Sequence, residues 1–125
     1  MSLNQKKTSL FIAHGSRESK GNDSLWSLLD RFQKKYPDDV VAGAFLELAL
    51  PLIPEAIDQC VKEGATKIVV IPLMMFEGRH VGRDIPQIVG EAIGKYPDVI
   101  FEYAGALADD DTMLELMKGK MKLFF

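Results

Sequence analysis

Two histidines, His14 and His80, are the side chains of this 125-residue sequence best suited to chemistry near neutral pH. A free imidazole titrates near ~6.5, so at physiological pH it can hold a metal ion or accept a proton. Each follows an apolar run: His14 opens His14-Gly15-Ser16-Arg17, and His80 closes Glu77-Gly78-Arg79-His80. Glu47 interrupts an apolar segment between Leu46 and Leu48. A carboxylate there is either the polar side of a strand end or a buried charge that needs a partner. Of the four arginines, Arg17, Arg79 and Arg83 lie in the two histidine stretches, and Arg31 lies elsewhere. Arginine's fork suits carboxylates and phosphates. The three are either a cleft with local positive charge for an anionic ligand or solvated loop residues. Met74, Met75 and Phe76 read as core or cleft lining, although a thioether can touch a metal.

Other chemistries are missing from the sequence. It has no phosphate loop G-x-x-x-x-G-K-[ST], no G-x-G-x-x-G turn and no G-x-S-x-G nucleophile elbow. One cysteine and two histidines at this spacing cannot close a structural zinc site. Cys60 falls on an expected helix face and reads as core. An open site of imidazole and carboxylate with arginines nearby remains.

The elements that must position these residues alternate. Residues 9–13 form a short apolar run, as expected of a strand buried on both faces. A polar loop follows over 14–22, then a helix with Leu25, Leu28, Leu29 and Phe32 on one face, capped by Asp23 or Ser24. Residues 40–46 predict a second strand. Ile53, Ala56, Ile57, Cys60 and Val61 make a helix face, with Pro54 in its first turn and Gly64 at its end. Residues 67–73, rich in β-branched side chains, predict a third strand, followed by a loop over 74–83. Asp84 reads as a cap and Pro86 as a first-turn residue of a helix carrying Ile88, Val89, Ala92 and Ile93. Residues 99–104 predict a fourth strand. Asp109, Asp110 and Asp111 open a last helix whose face is Met113, Leu114, Met117 and Met121. The expectation is a single α/β domain over 1–125, a four-stranded parallel sheet with helices on both faces in a flavodoxin-like layout. Ligands of such sheets bind beyond the carboxyl ends of the strands, which is where His14, Glu47 and His80 fall.

Bulk properties narrow the class. The chain is 47% hydrophobic and 26% charged, ordinary for a globular domain. Its formal net charge of -3 argues against a protein built to bind nucleic-acid phosphates. No apolar run approaches the ~20 residues of a transmembrane helix. The polar start, residues 1–7, lacks a signal-peptide core. With a single cysteine, a cytoplasmic location is expected.

Four stretches together resemble a known family. They are His14-Gly15-Ser16-Arg17 with Asn22, Phe45-Leu46-Glu47, Pro72 with Glu77-Gly78-Arg79-His80, and Asp84-Ile85-Pro86. In this order and spacing the chain is similar to the class II chelatases, and among them to the small CbiX-type sirohydrochlorin chelatases. Larger members carry two such halves in one chain, so the resemblance implies a chelatase-like fold, one half of that architecture, and a homodimer that assembles the full cleft. It implies ATP-independent insertion of a divalent metal ion into sirohydrochlorin, in cobalamin- or siroheme-type tetrapyrrole biosynthesis. Cobalt is the first expectation, with iron or nickel open, and no nucleotide takes part. By the family pattern His14 and His80 are the metal-binding and proton-accepting pair, with Glu47 as a nearby acidic residue. Ser16, Arg17, Arg79, Arg83, Met75 and Phe76 are expected along the tetrapyrrole. The segment after Ala104 matches no family motif.

Two alternatives stand beside this reading. The same cleft could carry a metal ion or tetrapyrrole without catalysing insertion. A flavin or receiver domain would share the layout only. The loop HGSRESKGND is unlike a flavin's phosphate loop, and the first strand's end lacks a receiver's acidic cluster.

Overall fold

Alternate residues of the first strand are buried, Thr8, Leu10 and Ile12 among them, because that strand lies inside the sheet with a helical layer on each face. The computed structural model describes residues 6–125, so the leader reading of the first residues lies largely outside them. The elements run β1 (Lys7–Ala13), α1 (Ser19–Lys35), β2 (Val41–Phe45), α2 (Ile53–Lys62), β3 (Lys67–Pro72), α3 (Ile85–Lys95), β4 (Ile100–Tyr103) and α4 (Thr112–Lys122). All strand pairs are parallel, and the order across the sheet is β2-β1-β3-β4. The expected fold class holds, with strand ends moved by one or two residues.

Period-two alternation sends strand side chains to two cores. On one face Leu10, Ile12, Ala44, Ile68 and Val70 pack with Ile53 and Ile57 of α2 and Ile85 and Val89 of α3. On the other, Phe45, with Phe11 and Ala13 beside it, packs on Leu25 and Leu29 of α1. Fully burying each large aliphatic side chain contributes about 1.5–3 kcal/mol. Cys60 lies in the first core, and burial pushes its thiol up to about 11. Gly64 ends α2 with φ +100, a conformation that favours glycine. Outside the core, α2 and α3 are tied where the Tyr96 hydroxyl donates to Asp58 and Lys95 Nζ lies 3.0 Å from Asp58 Oδ1.

Three boundary expectations need correction. Helix α1 starts at Ser19, not near Asp23 or Ser24; its first turn is polar and exposed, so apolar periodicity does not register it. Asp84 is not a cap. It has helical φ and ψ and makes no cap bond, because helical structure begins at His80 with a wide π-type turn (His80–Asp84). The acidic run opens α4 only in part: Asp111 directly precedes the helix and Asp110 Oδ1 accepts from Thr112 N–H at 2.9 Å. Leu107–Asp109 is a separate 3-10 turn, in which Asp109 Oδ2 accepts from Ala106 N–H at 3.0 Å. Of the expected inward face of α4 only Met113 is buried. Leu114, Met117 and Met121 are 59%, 55% and 46% exposed, since no element of the described chain covers them.

Candidate metal and tetrapyrrole site

From β1 the chain crosses to β2 on one side of the sheet, then returns past β1 to β3 on the other. Such a reversal opens a crevice at the carboxyl ends of the strands. His14 directly follows β1, and Glu47 lies two residues beyond β2. His80 is carried back to the crevice by the segment after β3, and stands on the first turn leading into α3 rather than in a loop.

Backbone bonds beyond the strand ends hold the first two. Leu46 N–H donates to the Ala13 carbonyl at 2.9 Å, and Glu47 N–H to the His14 carbonyl at 3.1 Å. These continue the β1–β2 ladder until His14 and Glu47 face the same space. Leu48 then turns the chain with φ 67, an uncommon conformation for a branched residue, of the kind that clusters at functional sites. Gly15 has φ +101, and an added Cβ would stand 1.7 Å from the Glu47 carbonyl oxygen. Only glycine permits the two segments to approach so closely. Asn22, on the first turn of α1, clamps the loop before it: its Oδ1 accepts from Ser16 N–H and its Nδ2 donates to the Ser16 carbonyl, both at 2.8 Å.

The result is a cluster of three. Each of His14, Glu47 and His80 offers a ligand atom, and these atoms lie within 4.8 Å of one another. The imidazole centroids are 5.0 Å apart with planes at 60°, and His14 Nε2 is 3.7 Å from Glu47 Oε1. His14 Nδ1 is 3.1 Å from the Gly15 carbonyl oxygen, and His80 Nδ1 is 2.8 Å from Asp84 Oδ2. The bond from His80, followed by Arg83, holds the Asp84 carboxyl below the usual carboxylate range. Side chains of His14 and Glu47 are about half exposed, at 50% and 46%. Two imidazoles and a carboxylate open to solvent can hold a divalent ion on an incomplete shell and leave positions free for exchange.

Of the other expected residues, Arg83 is tied to the cluster through Asp84, while Met75 and Phe76 lie elsewhere. Arg17 and Arg79 are exposed. Arg83 lies on the π-type turn, with Nε 3.3 Å from Asp84 Oδ1, so part of its fork is engaged. Ser16 Oγ accepts from Glu18 N–H at 3.1 Å. Met75 and Phe76 border a cavity of about 510 Å³ with Met113, Leu114 and Met117, not with the histidines. Leu107 and Ala108 N–H groups hold that loop through the Met74 and Met75 carbonyls. Asp84 partners His80 rather than capping α3, and its i,i+4 spacing from His80 is the local signal of that pair. Tyr103, whose hydroxyl donates to the Val81 carbonyl at 2.7 Å, had no local signal.

Residues 8–122 match the CbiX family. The chain is 34% identical over 117 residues to a sirohydrochlorin cobaltochelatase of Priestia megaterium, covering 93% of this chain and 38% of that protein. It is 31% identical over 117 residues to a sirohydrochlorin ferrochelatase of Bacillus subtilis, covering 94% and 45%. The chain thus spans less than half the length of these two relatives. Its fold superposes on the cobalt complex of the sirohydrochlorin chelatase SirB from Bacillus subtilis subspecies spizizenii with TM-score 0.80 and 30% identity, covering 96% of this chain and 51% of that one. A putative cobalamin biosynthesis CbiX protein from Marinobacter aquaeolei shares the fold at TM-score 0.77 and 20% identity, covering 94% and 95%.

Proposed function

The chain belongs to the CbiX family, and from that premise we propose that it inserts a divalent metal ion into sirohydrochlorin, with cobalt the preferred ion and iron or nickel accepted. The observation that carries this reading is the meeting of His14, Glu47 and His80 within 4.8 Å at the strand-end crevice. Insertion requires a metal ion that is held and then released, and two pyrrole protons that leave. An imidazole pair suits both tasks, since a neutral ring offers one lone pair to a metal or to a proton. The ion is substrate here, so an incomplete shell serves better than a closed cage. Glu47, beside His14 Nε2, orients that ring or takes a pyrrole proton. Arg17, Arg79 and the free part of Arg83 pair with carboxylates of the macrocycle, with Ser16 at the same rim. Met75 and Phe76 supply apolar contact. No nucleotide is used; the loop after β1 is His14-Gly15-Ser16-Arg17, without the glycine-lysine pattern of a phosphate loop.

The reading makes this chain one half of a two-half cleft, completed by a second copy. Its coverage of half of SirB and the uncovered apolar side of α4 support that arrangement. Among the described residues no helix is long and apolar enough to cross a membrane. A cytoplasmic site of action accompanies the reading, and a single buried thiol is compatible with it.

The test is optical. Protein and sirohydrochlorin are mixed with Co²⁺, anaerobic Fe²⁺ or Ni²⁺, against an enzyme-free blank and the His14→Ala and His80→Ala variants. The parent is expected to accelerate the metal-dependent absorbance change, fastest with Co²⁺. Each variant should fall by about 10²-fold or more, the usual worth of a positioned acid–base group. A folded parent that accelerates insertion of none of the ions would overturn the reading.

A further inference from the structure

His80 differs from His14 in what holds its inner nitrogen. His14 Nδ1 faces a neutral backbone carbonyl, whereas His80 Nδ1 faces the Asp84 carboxylate at 2.8 Å. An ionised carboxylate only accepts hydrogen bonds, so the shared proton resides on His80 Nδ1. The Nε2 lone pair is then directed away from Asp84 and free for an ion or a proton. The pair is partly shielded from water, with side chains 38% and 29% exposed, which strengthens the bond relative to one in bulk solvent.

The backbone beneath this pair is also specified. Ile85 N–H reaches five residues back to the His80 carbonyl, the π-type register, which often marks functional positions. In the same register the Val81 carbonyl would need the N–H of residue 86, and Pro86 has none. The Tyr103 hydroxyl fills that place from β4 at 2.7 Å. Burial, with Asp109 and Glu77 adding to it, pushes the phenol up to about 12, so Tyr103 stays a donor through the neutral range. The π-type bond and the Tyr103 hydroxyl together satisfy the backbone that carries His80.

We propose that Asp84 is a positioning residue, fixing His80 as its Nδ1–H tautomer so that Nε2 is presented to the metal ion and the macrocycle. The proposal rests on the functional reading above for its consequence in insertion, but not for the tautomer itself. A chain with only two histidines makes the tautomer directly readable by long-range ¹⁵N–¹H correlation spectra of the ring nitrogens. The experiment compares the parent with Asp84→Ala and Asp84→Asn, at a pH where His80 is neutral and without metal. The parent His80 should show a protonated Nδ1 and a bare Nε2. Asp84→Ala should shift to the Nε2–H form or a mixture. Asp84→Asn keeps an acceptor oxygen and should lie between, and it serves if the alanine variant fails to fold. In the insertion assay kcat should fall about 10- to 100-fold in Asp84→Ala, as for other partners of ligating histidines, with KM for sirohydrochlorin little changed. A parent in the Nε2–H form, or variants with the parent's spectrum and kcat, would overturn the proposal. A parent with the expected spectrum and no insertion activity would overturn the functional reading instead, leaving the placement of Asp84 intact.

Discussion

Gly15 shows most directly how one residue governs the site. Its φ of +101 costs any L side chain, and an added methyl group would stand 1.7 Å from the Glu47 carbonyl oxygen. That oxygen belongs to backbone and cannot swing aside. Gly15→Ala should therefore cost about 1–3 kcal/mol of stability through strain and force the Glu47 segment outward. The expected outcome is a lower unfolding midpoint in urea together with slower metal insertion. A variant with the parent's midpoint and rate would show that the close approach has no consequence. Glycine after a histidine is visible in the sequence, but its reason is not. The partner is a carbonyl 32 positions away, and no local pattern reports it.

At the scale of elements, the tie between α2 and α3 carries a pH dependence. Bonds from Tyr96, then Lys95, hold the Asp58 carboxyl below its ordinary value, and Lys95 is raised mainly by its bond to Asp58. A lowered acid contributes stability that is present above the unfolded value, about 3.9, and is lost as pH falls through the folded value. A raised lysine contributes stability that is present below about 10.4 and is lost as pH rises through its higher folded value. Asp58 and Lys95 are substantially exposed, so solvent screens the pair and the effect is modest. Asp58→Asn should lower Tm at neutral pH and flatten its decline on the acid side. Unchanged melting curves from pH 2 to 7, as in roughly the window set by aspartate titration, would remove this role. The same scale explains the misplaced helix starts. Apolar periodicity reports which residues face the core, whereas the first turn of α1 is polar and the π-type turn before α3 carries His80, Arg83 and Asp84.

For the whole molecule, the uncovered side of α4 is the feature with the largest consequence. Leu114, Met117 and Met121 are all about half exposed, and Leu114 and Met117 border the same cavity as Met75 and Phe76. Contiguous apolar surface of this kind marks an interaction site. If a second copy completes the cleft, the 13.9 kDa chain should sediment at twice its mass. Leu114→Glu combined with Met117→Glu should then yield a folded monomer with little insertion activity. A monomeric parent that inserts metal at full rate would rule out the assembly.

The sequence by itself determined the alternating β and α elements, the parallel sheet, and the position of His14 and Glu47 just beyond strand carboxyl ends. These follow from local signals: β-branched runs, helical spacing of apolar residues, and turn residues between them. The family resemblance carried the rest of the functional expectation. Only the tertiary structure decided that β1 lies between β2 and β3, which brings three separate stretches into one cluster. It also assigned Asp84 to His80, joined Tyr103 to the Val81 carbonyl and left α4 uncovered. Strand order and side-chain pairing depend on which surfaces pack together across the chain, and that is a property of the assembled core rather than of any local window.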